Sequence, residues 1–187
     1  QHLNVILNVV RPDILTVTEL DGSSSPPVID DAIHLLDHAL NTGSVDNYRS
    51  APFDSTYLAN TLFYNSSKLK LHAYHPLKLF IGNHEKIFNR YTFYYNSEDL
   101  SLSSDTVFLH CFVVHLKSGN SDDDARQRAD EAEVLMDYIA NEMPAAGNYI
   151  ICGDLNVYSS NDKAFQLLVH SKTKPATFHD PVNQTGN

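Results

Sequence analysis

Tyr149-Ile150-Ile151-Cys152-Gly153-Asp154-Leu155-Asn156 reads as a short apolar strand that runs through a glycine into a carboxylate and an amide two residues apart. Gly153 lets the backbone turn tightly as it leaves a sheet. Polar side chains at the end of a rigid strand are well placed for chemistry, because the loop beyond leaves room for a substrate. Asp154 could there orient or deprotonate a water, and Asn156 could hold a phosphate oxygen without adding repulsive charge. The same pattern also suits an Asx turn starting at Asp154. These residues alone leave both readings open.

Working outward, 121–143 is predicted as a helix. Ser121 can cap it with Asp124 three residues on, and Ala125, Ala129, Ala132, Leu135, Met136 and Ile139 share one side. Pro144 and Gly147 close it. The carboxylates Asp122, Asp123 and Asp124 suit the positive end of the helix dipole, and Arg126, Arg128 and Glu131 read as pairs on the helix surface. Four segments before it, 60–65, 68–80, 86–96 and 106–116, are rich in Tyr, Phe, Val and Leu, with turns at Asn65-Ser66-Ser67 and Gly82-Asn83. They are predicted as consecutive antiparallel strands, with the aromatic run Tyr91, Phe93, Tyr94 and Tyr95 as core and sheet face.

Nearer the start, 1–10 places Leu3, Ile6, Leu7 and Val10 at helical spacing until Arg11-Pro12 stops the helix. A buried strand over 13–20 carries Glu19 near its end. A Gly/Ser/Pro-rich loop at 21–27 leads to a helix over 27–40, with Ile29, Ile33, Leu36 and Leu40 on one face. Beyond Asn156, 161–169 is predicted as a short helix and 170–187 as polar loop. Helices at both ends and in the middle of a strand-rich interior predict one domain over 1–187, an α/β sandwich whose sheets are covered by helices.

The composition agrees with a folded domain. The chain has 187 residues, 42% hydrophobic and 19% charged, which excludes miniprotein and disordered classes. Thirteen Lys and Arg against 23 Asp and Glu, a formal charge of -10, argue against binding held mainly by neutralising nucleic-acid phosphates, although a local basic site stays open. Cys111 and Cys152 lie in apolar runs and read as free core thiols. No apolar run reaches the roughly 18 to 20 residues a spanning helix needs. Few glycines with much Asn, Ser and Tyr are compatible with a secreted or periplasmic bacterial protein.

Two further strand-end groups are candidates. Glu19 suits a hard cation such as Mg²⁺, which takes oxygen ligands and usually one or two protein carboxylates, or it pairs with a lysine or caps the following loop. His115 ends Val113-Val114-His115, where an imidazole either donates to charge building on a phosphoryl oxygen or is a satisfied rim residue. His72, His75 and His84 lack the compact spacing of a zinc site.

Taken in order, Pro12-Asp13-Ile14-Leu15-Thr16-Val17-Thr18-Glu19-Leu20, Val114-His115-Leu116-Lys117-Ser118-Gly119, an Arg-bearing helix and Ile151-Cys152-Gly153-Asp154-Leu155-Asn156 resemble the endonuclease/exonuclease/phosphatase superfamily. The resemblance runs over nearly the whole chain. It implies a deoxyribonuclease I-like four-layer α/β sandwich, two packed mixed sheets flanked by helices, without its first and last strands. It also implies a Mg²⁺-dependent phosphoester hydrolase, with Mn²⁺ as a substitute ion, acting as a monomer on nucleic acid, a phospholipid head group or a sugar or inositol phosphate.

By the same resemblance, Glu19 is the metal ligand and Asp154 aligns or activates the attacking water. Asn156 contacts the scissile phosphate, His115 hydrogen-bonds a phosphoryl oxygen, and Arg90 lies near the substrate. Asn60 and Asn65 bracket a strand that borders the cleft. His179-Asp180 has the reverse order of the superfamily's terminal Asp-His pair and follows Asp154 too closely to be it. The alternative is a non-catalytic binding domain that keeps the fold.

Overall fold

The computed structural model describes residues 2–20, 28–42, 47–54, 59–101, 106–171 and 176–182, with backbone only at 28–31 and 101. The loop expected at 21–27, the Ile29 side chain and the tail from 183 lie outside the described residues. In chain order the elements are α1 (His2–Val10), β1 (Ile14–Leu20), α2 (Val28–Leu35) with a π turn (Leu36–Leu40), β2 (Tyr48–Ser50), β3 (Ala59–Asn65), β4 (Leu69–Ile81) and β5 (His84–Tyr95). Then come β6 (Phe108–His115), α3 (Asp122–Glu142), β7 (Asn148–Asp154) and α4 (Lys163–Val169).

The strands form two sheets, a small one ordered β1-β3-β2 and a large one ordered β4-β5-β6-β7. Three apolar layers separate four layers of structure. Leu7, Ala32, Ala39, Leu40 and Phe63 join α1 and α2 to the outer face of the small sheet. Leu62, Tyr91, Phe93, Cys111 and Val113 fill the space between the sheets. Phe88, Phe112, Val114, Leu135, Met136, Ile139 and Leu168 join the large sheet to α3 and α4. This is the predicted four-layer sandwich. Only the large sheet is mixed, through the parallel pair β6 and β7, because α3 carries the chain back between them; both pairings of the small sheet are antiparallel.

Several local readings hold. Ser121 caps α3 in a capping box with Asp124, and Gly82, at φ 59°, turns the two-residue hairpin between Ile81 and His84. Arg11 takes φ 45° and its N–H donates to Leu7 O at 2.8 Å, ending α1 before Pro12. Cys111 and Cys152 are free thiols. Burial pushes the Cys152 thiol up to about 11 and raises that of Cys111 further.

Two expectations fail. The turn at Asn65-Ser66-Ser67 forms, with Lys68 N donating to Asn65 O at 3.1 Å, but the strands it joins do not pair: β3 is buried on both faces and pairs with β1 on one side and β2 on the other, which leaves no free edge for β4. The chain instead crosses between sheets, and Asn65 Oδ1 accepts from Ser67 N and Oγ at 3.1 and 2.6 Å. On α1, Leu7 alone of the expected apolar face is buried, while Leu3, Ile6 and Val10 are exposed. The helix docks through its Asn4 and Asn8 side, where Asn4 Nδ2 donates to Thr42 Oγ1 at 2.9 Å.

Candidate active site

Side chains on β6 alternate strictly, Cys111 and Val113 toward the small sheet and Phe112 and Val114 toward α3. His115 therefore ends the strand on the inner side. The parallel register sets Asp154 directly beside His115, and Leu116 N donates to Asp154 O at 2.9 Å to hold the two strand ends together. Between them the backbones approach closely. Gly153 sits at φ 122°, and a Cβ built on it would lie 2.0 Å from Val114 O. A Gly153→Ala variant is expected to lose about 1–3 kcal/mol by overpacking and a further ~1–3 kcal/mol by backbone strain. Urea denaturation measures it, and a loss below ~1 kcal/mol would refute this account.

Beyond the strand, Asp154 Oδ1 accepts from Asn156 N at 2.8 Å, so the Asx turn is present. Asn156 takes the left-handed conformation at φ 49°, and its Nδ2 donates to Leu116 O at 3.0 Å. This bond ties the loop after β7 to the loop after β6. The two polar residues border an open cleft of about 550 Å³ that also includes Tyr158, Ser159 and Phe165.

Glu19 reaches the same end of the sandwich from the small sheet. The β1–β3 register slips between Val17 and Leu20, and Glu19 inside that bulge has φ 58°. Bulges re-aim side chains, and here the exposed carboxylate comes 3.5 Å from His115 Nε2. Arg11, Glu19 and Asn156 are the non-glycine residues at positive φ among the described residues, so two of the three belong to this group. Strain of this kind costs about 1–3 kcal/mol per residue and persists where the surroundings over-determine it.

The structure thus brings Glu19, His115, Asp154 and Asn156 to one rim. It does not bring Arg90 there. Arg90 lies on the opposite face of the large sheet, beneath α3, where its Nη1 donates to Tyr138 Oη and Met143 Sδ, both at 2.9 Å. Odd-numbered neighbours Tyr91 and Phe93 face inward, so strand alternation turns Arg90 outward. Asn65 is buried in its own turn. Asn60 stays near the bulge of β1, and its backbone oxygen accepts from Asn89 Nδ2 at 2.7 Å.

Sequence reasoning missed what holds the two site loops. Arg128 and Glu131, expected on the helix surface, are each 1% exposed. Arg128 Nη1 donates to Lys117 O and Gly119 O at 2.9 and 2.8 Å, while its Nε and Nη2 reach Asp162 Oδ2 at 3.2 and 2.8 Å. Glu131 accepts from Lys117 N at 2.7 Å and faces Lys86 Nζ at 3.5 Å. Asp162 Oδ1 caps α4 through Ala164 N at 3.0 Å. One buried guanidinium therefore clamps the segment after His115 to the segment after Asn156. A signal was present: Arg128 lies three residues after Ala125 and four before Ala132, in the middle of the apolar stripe of α3.

At the loop's far end Asp124 is held down to about 2, first by the Ser121 hydroxyl and then by Lys117 Nζ, 2.9 Å from its Oδ1. Lys117 is thereby engaged away from the cleft.

Glu19 offers what a hard cation requires, carboxylate oxygen at an exposed position. Among the described residues no group of three His, Cys, Asp or Glu side chains could enclose a metal. The donor set fits Mg²⁺ bound through one carboxylate and otherwise through water and substrate oxygens.

In sequence the chain matches no family model and no curated protein. In structure it resembles the human Nocturnin catalytic domain, solved with a bound sulfate anion, at a TM-score of 0.59 and 15% identity, covering 91% of this chain and 61% of that one. Humanized D. rerio TDP2 aligns at 0.55 and 16% identity, over 85% and 55% of the two chains. An endonuclease/exonuclease/phosphatase from Bacteroides vulgatus aligns at 0.56 and 12% identity, over 91% and 62%. The chain has the fold of the endonuclease/exonuclease/phosphatase superfamily, the deoxyribonuclease I-like sandwich. It spans less than two thirds of each of those chains.

Proposed function

We propose that the chain carries a metal-dependent phosphoester hydrolase site at the rim formed by Glu19, His115, Asp154 and Asn156. The observation that carries this reading is the convergence of the four residues from both sheets, with His115 Nε2 3.5 Å from Glu19 and Asp154 in register with His115. Neighbours of the same fold support a phosphate-bearing substrate: Nocturnin was solved with sulfate and D. rerio TDP2 with a single-strand DNA product.

Glu19 would hold Mg²⁺, or Mn²⁺ in its place, and the ion when bound supplies charge neutralisation at the phosphate. His115 Nε2, 3.5 Å from Glu19, would steady that carboxylate in the free site and donate instead to a phosphoryl oxygen once the carboxylate turns to the ion. Asp154, fixed by its turn, aligns a water for in-line attack and accepts its proton. The Asn156 amide has two N–H groups; one is spent on Leu116 O, and the other is available to a phosphoryl oxygen.

The test is hydrolysis of an activated phosphodiester and a phosphomonoester by the full-length protein, with Mg²⁺, with Mn²⁺ and with EDTA. Metal-dependent turnover is expected, and the preferred ester separates a nuclease-like from a phosphatase-like site. A folded protein silent in every condition would favour a non-catalytic binding domain.

A further inference from the structure

Two histidines lie away from the rim, on the helices covering the outer face of the small sheet. His34 is in the last turn of α2 and His38 in the π turn that follows. Four residues apart on a helix, they share a face. The helix passes from α2 into the π turn between them, marked by Asn41 N donating to Leu36 O at 2.7 Å. Their ring centroids are 4.3 Å apart with the planes tilted by 58°, and both side chains are exposed.

The rings border an open surface cavity of about 700 Å³ with Asn4 and Val5 of α1. Asn4 is fixed there: its Nδ2 donates to His38 O at 3.3 Å and Thr42 Oγ1 at 2.9 Å, and its Oδ1 accepts from Asn8 Nδ2 at 2.7 Å. The tilt matters, because two imidazoles that open as a wedge can direct ring nitrogens to one point.

We propose that His34 and His38 form a surface site for a borderline divalent cation of the Zn²⁺, Ni²⁺ or Cu²⁺ class, with water completing the coordination. Imidazole nitrogen suits these ions rather than Mg²⁺, and histidines at i and i+4 on a helix are a proven zinc-binding spacing. A cation there would bind only the folded helix pair and so stabilise it.

The test is calorimetric titration of Zn²⁺ into the full-length protein in Mg²⁺-containing buffer, which occupies hard-cation positions beforehand. The native protein and a His84→Ala control, altered at an exposed hairpin position, are expected to bind with equal affinity. His34→Ala and His38→Ala should each weaken binding by at least the roughly 10-fold that loss of even an outer partner costs. Zn²⁺ should also raise the melting temperature of the native protein more than that of either variant. Equal affinity in all four proteins, or no saturable binding by the native one, overturns the proposal.

Discussion

Asp154→Ala in the full-length protein is expected to lower phosphoester turnover by about 10²–10³, the scale set by removing one preorganised transition-state contact. The loss should fall on kcat rather than KM, because a carboxylate that aligns water contributes in the transition state and little to ground-state binding. Alanine also removes the acceptor that Asn156 N uses at 2.8 Å, so the variant mixes chemistry with loop geometry. Asp154→Asn separates the two. Its amide oxygen can still close the turn, but it carries no charge and cannot take a proton. Asp154→Asn should show most of the loss, and Asp154→Ala should be at least as impaired because it also loses the turn. An Asp154→Asn protein with native turnover would sink the assignment and reduce Asp154 to a turn former.

Arg128→Met is expected to be the most destabilising single change on the helix-covered face of the large sheet. The methionine would bury a stem of similar length but leave Lys117 O, Gly119 O and Asp162 Oδ2 without their donor. Breaking a buried ion pair costs about 3–5 kcal/mol. At about 2–4 °C per kcal/mol for a domain of this size, the melting temperature should drop by roughly 6–20 °C. Arg128→Lys should rescue little, since one ammonium cannot span acceptors that a planar fork reaches. A double-mutant cycle with Asp162→Asn isolates the pair. A shift below ~1 kcal/mol for Arg128→Met would show that the two loops hold their geometry without the clamp.

These two predictions mark different degrees of legibility. Asp154 stood out because a four-residue apolar run ending in Gly-Asp-x-Asn has a local meaning: strand, tight exit, exposed polar pair. Glu19 and His115 were legible for the same reason, each closing an apolar strand. Arg128 sat in view on the apolar stripe of α3, but charge on a helix is usually solvated, and nothing local says that three acceptors wait above it. Resemblance alone places Arg90 near the substrate, whereas alternation with the inward-facing Tyr91 and Phe93 turns it to the α3 face.

The sequence by itself determined the capped helix α3, the hairpin at Gly82-Asn83 and the strand ends that carry Glu19, His115, Asp154 and Asn156, because these depend on short-range periodicity and turn chemistry, whereas the three-residue β2 is too short to leave a readable pattern. Tertiary structure alone decided that β3 belongs to a different sheet from β4, that Glu19 meets His115 across the two sheets, and that Arg128 joins the loops behind them. Each of those outcomes is a contact between residues far apart in the chain. Such contacts are selected by which edges and faces remain unsatisfied after the local elements have formed, and that remainder is not written in any one stretch of sequence.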